Sequence, residues 1–181
     1  MRPAARFASR RTSPSHQHGL TLIELIVAIA VLGIVATVGL PGFQQLSARN
    51  EVAAEVLRLT SALAKTRSAA VTRRTTVTLC PTTDMIQCQI SNNATGEAWR
   101  ATLAIFEGNG EAGDLLLRTF GESRLLSLSY RNDDRPVRYK ALGRSGGHNG
   151  TFRLCGRREE GASVIVNNFG RVRVDSNRPD C

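Results

Sequence analysis

Arg171 and Arg173 stand one residue apart in Gly170-Arg171-Val172-Arg173-Val174, a stretch that alternates basic with apolar side chains. On an extended strand successive side chains take opposite faces, so the two guanidiniums share one face and Val172 and Val174 the other. The valines are expected to enter a core. Two guanidiniums side by side suit contact with successive phosphates of a nucleic-acid backbone. Ser163-Val164-Ile165-Val166 precedes them, and Asn167-Asn168-Phe169-Gly170 reads as the turn of a hairpin. Gly170 fits the left-handed position that closes such a loop, and Asn167 and Asn168 are placed to donate hydrogen bonds at its tip. Arg144, Arg153, Arg157, Arg158 and Arg178 extend the basic surface wherever the fold brings them near. The same Arg/Val alternation also protects an edge strand from pairing.

Glu24 is informative for the opposite reason, its isolation. Residues 20–40 number 21, and Glu24 is the only charged one. A charge at that depth in a bilayer costs about 2.5–3.5 kcal/mol on insertion scales, so Glu24 calls for a partner. A proton relay would need a second acid in the span, and none is there.

The elements that carry these groups follow from composition and periodicity. Residues 1–19 hold Arg2, Arg6, Arg10 and Arg11 and no acid. An ordinary secretory signal is cut after its apolar run; a run that is kept would serve as an anchor. Roughly 20 helical residues span about 30 Å, the hydrocarbon thickness. The leader arginines keep the N-terminal end cytoplasmic by the positive-inside rule, which places everything after Phe43 outside the inner membrane. Pro41 lacks an N–H and is expected to kink or loosen the helix. Four segments result: a leader (1–19), a spanning and assembly helix (20–43), an amphipathic continuation of it (44–73) and a β-rich periplasmic head (74–181).

In the continuation Val52, Val56, Leu59, Leu63 and Ala70 form one helical face, expected to pack on a sheet, while Arg49, Glu51, Glu55, Arg58 and Lys65 take the other faces. Strands are expected at 75–80, 99–107, 115–120, 125–131, 137–142, 151–155, 163–167 and 171–175, with loops at 84–97 and 143–150. Short strands between Gly, Asn and Asp turns predict antiparallel pairing, and a helix followed by strands predicts an α+β architecture.

Lys and Arg number 24 against 15 acids, a net charge of +9; without the leader arginines it is +5. The surplus lies in the last third, where residues 131–181 hold 11 basic and 6 acidic side chains. Cys80, Cys88, Cys155 and Cys181 allow three connectivities. Pairing Cys80 with Cys88 and Cys155 with Cys181 is favoured: the first would pin a short loop, the second the C-terminus, for about 2.5 and 3.5 kcal/mol in the loop-entropy model. A zinc site is the rival, but Cys-x-x-Cys is missing and His148 is the only histidine beyond the leader. No metal or cofactor is expected. Neither a Gly-rich phosphate loop nor Gly-x-Ser-x-Gly occurs; Asp133-Asp134 and Glu159-Glu160 read as solvated turn acids and His148 as a loop residue. The chain is not expected to be an enzyme.

Gly19-Leu20-Thr21-Leu22-Ile23-Glu24-Leu25, followed by the apolar run, resembles the processing site and N-terminal helix of type IV pilins and type II secretion pseudopilins. The resemblance implies cleavage between Gly19 and Leu20 by a prepilin peptidase and methylation of the new N-terminus. Leu20 departs from the usual Phe there, a mild change. The resemblance further implies that Glu24 pairs with the free α-amino group of a neighbouring subunit, and that the helix around Pro41 can melt in a filament. The order of elements, with a strand ending in Cys80 and a late Val-Ile-Val strand before Gly-Arg-Val-Arg-Val, is similar to the GspH/FimT family. In FimT-type minor pilins a Gly-Arg-x-Arg motif lies in a DNA-binding region used in natural transformation. Gly170, Arg171 and Arg173 match it.

The resulting expectation is a minor pilin that binds double-stranded DNA without sequence preference. Its partners would be major and minor pilins, the prepilin peptidase and, before assembly, the inner membrane. Two alternatives stand beside it: a type II secretion pseudopilin acting through protein contacts only, and a structural minor pilin that primes assembly.

Overall fold

The computed structural model describes residues 21–89, 98–131, 135–175, 177, 179 and 181; Gly19, Leu20, Asp133, Asp134 and Arg178 lie outside them, as does most of the loop expected at 84–97. Thr21 opens the first element. Its Oγ1 accepts the Glu24 N–H at 3.3 Å, so Thr21 is an N-cap and Glu24 the third helical residue, where a carboxylate also complements the positive end of the helix dipole. Helix α1 then runs from Leu22 to Arg73, and its backbone stays helical through Pro41. The chain divides into two compact units at that point, Met1–Pro41 and Gly42–Cys181. In the first unit the described residues are largely apolar and exposed along the helix, and this helix is long and apolar enough to cross a membrane.

In the second unit the helix ends at Arg73. Arg74 takes a left-handed conformation (φ 52°) and Thr75 N–H bonds the Ala70 carbonyl at 3.3 Å, a Schellman-type stop made without glycine. Strands β1 (Val77–Pro81), β2 (Leu103–Glu107), β3 (Leu115–Phe120) and β5 (Val137–Tyr139) form one sheet in the order β3-β2-β1-β5. Strands β4 (Ser127–Tyr130), β6 (Gly150–Cys155), β7 (Gly161–Val166) and β8 (Val172–Asp175) form the other in the order β4-β6-β7-β8. Every pairing is antiparallel. The architecture is the α+β one expected.

One core joins the helix to both sheets. Val52, Leu59, Leu63 and Ala70 pack with Val77, Leu79, Ile105, Leu128, Phe152 and Val164, and Val56 lies half-buried at the margin. Glu55 departs from expectation: it is buried on the core side of the helix, with Arg58 Nε 2.8 Å from its Oε1. A second small cluster, Cys80, Ala104 and Phe106, lies on the other face of the first sheet with Cys88 beside it. Disulfides join Cys80 to Cys88 and Cys155 to Cys181, with Cα–Cα distances of 5.5 and 5.8 Å. Among the described residues, all the buried apolar ones lie between Ala48 and Val166, and both disulfides close within Gly42–Cys181. This unit therefore holds a complete core and is a self-contained folding unit.

Three strands are shorter than the sequence suggests. Residues 98–100 form a 3₁₀ turn that buries Trp99 edge-on against Tyr130 and Phe152, at ring-centroid distances of 5.4 and 4.8 Å. Strand β4 stops at Tyr130 because Arg131 takes a left-handed φ of 56°. Strand β5 stops at Tyr139 because the Gly143 N–H turns back to the Lys140 carbonyl at 2.7 Å.

Candidate nucleic-acid interface

Strands β7 and β8 form the expected hairpin, with Val166 opposite Val172, Ile165 opposite Arg173 and Val164 opposite Val174. Its turn is closed by three hydrogen bonds: Gly170 N–H to Asn167 O (2.9 Å), Asn167 N–H to Arg171 O (3.0 Å) and Arg171 N–H to Asn167 Oδ1 (2.9 Å). Asn167 thus acts as an acceptor that fixes the turn, and Asn168 stands exposed beside it. Gly170 sits at φ 76°, and a Cβ there would lie 2.1 Å from the Gly143 carbonyl oxygen. Both the backbone angle and the close approach demand glycine.

A neighbouring loop is bound to this turn. Ser145 Oγ donates to Asn167 O at 2.7 Å and Ser145 N–H to Asn168 O at 3.2 Å. From helix α1, Arg67 reaches both segments, with Nε donating to Gly143 O at 3.0 Å and a terminal nitrogen to Phe169 O at 3.4 Å. Arg144, on the bound loop, places its guanidinium 5.0 Å from the centre of the Phe169 ring. Tyr139 lies beneath, its ring 2.9 Å from the same hypothetical Cβ of Gly170; burial pushes its hydroxyl pKa up to about 12, so it is neutral and adds no charge under the tip.

Arg171 and Arg173 are both exposed, and among the described residues neither forms an ion pair. Strand β8 is the edge of its sheet. The register puts Arg173 on the outer face with Ile165 and Thr151, and Arg153 on the same face one row away, opposite Ser163. Asp175 is in that second row and limits the patch at its far side. Val172 packs against the core as expected, but Val174 is 47% exposed. At an open edge no further strand covers it.

The fold separates the other arginines. Arg157 and Arg158 lie in the β6–β7 turn, at the far end of β7 from Gly170. Six strand residues separate the two ends, about 20 Å at the usual rise. Arg157 faces Glu51 at 3.9 Å and Arg158 bonds the Gln44 side chain, so both are engaged with the helix. Glu160 in the same turn is buried, with Arg49 Nε 3.0 Å from its Oε1 and a bond from Gln45; it is not the solvated acid expected. His148 is half-buried in its loop, with Nδ1 2.9 Å from the Pro136 carbonyl, which can only accept. Burial, followed by the arginines at 138, 131 and 135, holds its pKa below the ordinary value, partly offset by that bond.

Arg67 is not legible in the sequence as part of this site. Its only signal is a guanidinium bordering the apolar stripe, between Leu63 and Ala70.

Residues 55–170 match the family model described as type II transport protein GspH, and residues 14–40 match the prokaryotic N-terminal methylation motif. The chain belongs to the GspH family. Its type IV pilin-like character extends to the N-terminus: 56 residues are 45% identical to the type IV major pilin protein PilE1 of Neisseria gonorrhoeae, and the same holds for a fimbrial protein of Neisseria meningitidis. These matches cover 31% of this chain, and 31% and 30% of those relatives. The fold resembles crystal structures of the type IV minor pilin FimU of Pseudomonas aeruginosa. One gives a TM-score of 0.56 at 21% identity, covering 73% of this chain and 95% of that one; a second crystal form gives 0.51 at 22%. The family match ends at Gly170, so Arg171 and Arg173 lie just past it.

Proposed function

We propose that this GspH-family protein is a minor pilin that binds DNA through Arg171 and Arg173, in the service of DNA uptake. The observation that carries this reading is the pair of exposed guanidiniums at the start of the edge strand, neither in an ion pair among the described residues, next to a hydrogen-bonded tip that presents Arg144 and Asn168. Arg153 is on the same sheet face and extends the surface; Arg157 and Arg158 are engaged elsewhere and belong to a different region. The protein would be cut after Gly19, methylated at Leu20 and assembled through its N-terminal helix, with Glu24 pairing with the α-amino group of a neighbouring subunit. The head would face away from the cytoplasm. No catalytic step is assigned to it.

Binding that rests on phosphate contacts is independent of sequence and falls with salt, log K changing by about −0.9 per phosphate neutralised. For three or four contacts the slope is about −3 to −4. Titrating the head with two unrelated duplexes across a salt series checks this. Equal affinities with that slope are expected; no binding at low salt would defeat the reading.

The description of the family as a type II transport protein supports a second reading, a secretion pseudopilin working through protein contacts alone. It predicts no DNA binding in the same titration.

A further inference from the structure

Phe169 stands at the hairpin tip with 61% of its surface exposed, and Leu142 on the neighbouring loop is 82% exposed. Single exposed apolar residues are common and need no explanation. This pair differs in two respects. The backbone under Phe169 is fixed, its carbonyl held by Arg67 and the next N–H by Asn167. The ring also has a cation against it: the Arg144 guanidinium is 5.0 Å from its centre, and the Arg144 backbone is itself held, its carbonyl accepting the Lys140 N–H at 3.0 Å. An open cleft of about 610 Å³ shares Arg144 and Asn168 with this tip and is lined also by Lys140, Leu142, Gly146 and Asn149. That volume lies in the range of small-molecule sites, and two carboxamides line it.

An aromatic ring on a held backbone with a guanidinium against it, beside a cleft with amide groups and basic side chains, combines the parts that bind single-stranded nucleic acid. Aromatic rings take the faces of unpaired bases while basic side chains follow the phosphates. In a closed duplex those base faces are hidden in the stack.

We infer that Phe169 is a stacking platform for one unpaired nucleobase, braced by Arg144, and that the site therefore prefers single-stranded DNA or a frayed end to closed duplex. This rests on the DNA reading above and adds the form of DNA that is taken. Arg171 and Arg173 supply the phosphate contacts common to both forms; Phe169 supplies the preference.

The test uses the folded unit 42–181 in fluorescence anisotropy with two probes, a labelled oligo-dT strand and a dumbbell duplex closed at both ends by non-nucleotide glycol linkers. The wild type is expected to bind the strand more tightly. Phe169→Ala should weaken strand binding by roughly 5- to 150-fold, the span of one base-stacking contact, and leave the dumbbell within about twofold. Phe169→Trp should restore strand binding. Equal losses on both probes, or none on the strand, would overturn the inference while the DNA reading stands. Failure of the wild type to bind either probe would overturn both. Vesicles containing phosphatidylglycerol form a third arm: loss of vesicle binding in Phe169→Ala with strand binding unchanged would assign the tip to a lipid surface instead, and would also overturn it.

Discussion

Glu24→Ala is expected to leave cleavage after Gly19 unchanged and to block entry of the subunit into a filament. The cause is electrostatic. Cleavage would create an α-ammonium at Leu20, and an ammonium buried without a partner costs about 3–5 kcal/mol, roughly two to nearly four orders of magnitude in an assembly equilibrium. Glu24 is the only anion in the apolar run, so the proposed pairing has no substitute within the span. Thr21 caps the helix through the Glu24 backbone N–H, a bond that Ala keeps, so the helix start is retained. Glu24→Gln keeps shape without charge and should fail equally. The measurement is the ratio of processed variant in sheared filaments to that in membranes. Incorporation at the wild-type level would refute the assembly role.

Gly170→Val should have the second largest effect, on the stability of the head. A branched residue held at φ 76° costs about 1–3 kcal/mol. Its Cβ would also start 2.1 Å from a backbone carbonyl oxygen, which cannot rotate away as a side chain would. We expect a loss of at least about 3 kcal/mol and a fall of roughly 10 °C in the thermal midpoint. DNA affinity should fall with it, because the Arg171 N–H is held by the same turn through Asn167 Oδ1. Gly170→Ala should show the same changes at smaller size. An unchanged midpoint by circular dichroism would contradict the geometry of the turn.

The sequence shows the backbone plan of this protein well because its signals are periodic. The helical stripe from Val52 to Ala70 and the Arg171/Arg173 alternation are each a repeat of 3.6 or 2; the structure keeps the stripe, and of the alternation it keeps Val172 against the core while Val174 is exposed and Arg171 precedes the strand. Charged residues are harder to place. Glu55 and Glu160 are buried, each satisfied by an arginine from elsewhere on the helix or beside it, and composition alone marks an acid as exposed. The β propensity of Trp99 suggests a strand, but burying the indole against Tyr130 and Phe152 requires a turn. The site shows the same limit. Asn167, Gly170 and Arg171 are local in sequence and legible together. Arg67 is 102 residues from Phe169, and only the packing of the helix against the second sheet brings them together. Charge alone groups Arg157 and Arg158 with the candidate patch, but the length of β7 separates them from it.

That separation provides the most direct test of the central claim. Arg171→Gln/Arg173→Gln and Arg157→Gln/Arg158→Gln remove the same charge from regions near opposite ends of β7. Duplex affinity of the head, measured against salt for both double variants, separates a local site from a net-charge effect. The proposed interface predicts that the first variant lowers the salt slope by about 2, one for each phosphate no longer neutralised, and weakens binding at every salt concentration. The second should stay close to wild type. Equal losses in the two variants, or undiminished binding in the first, would contradict the assignment of DNA binding to Arg171 and Arg173.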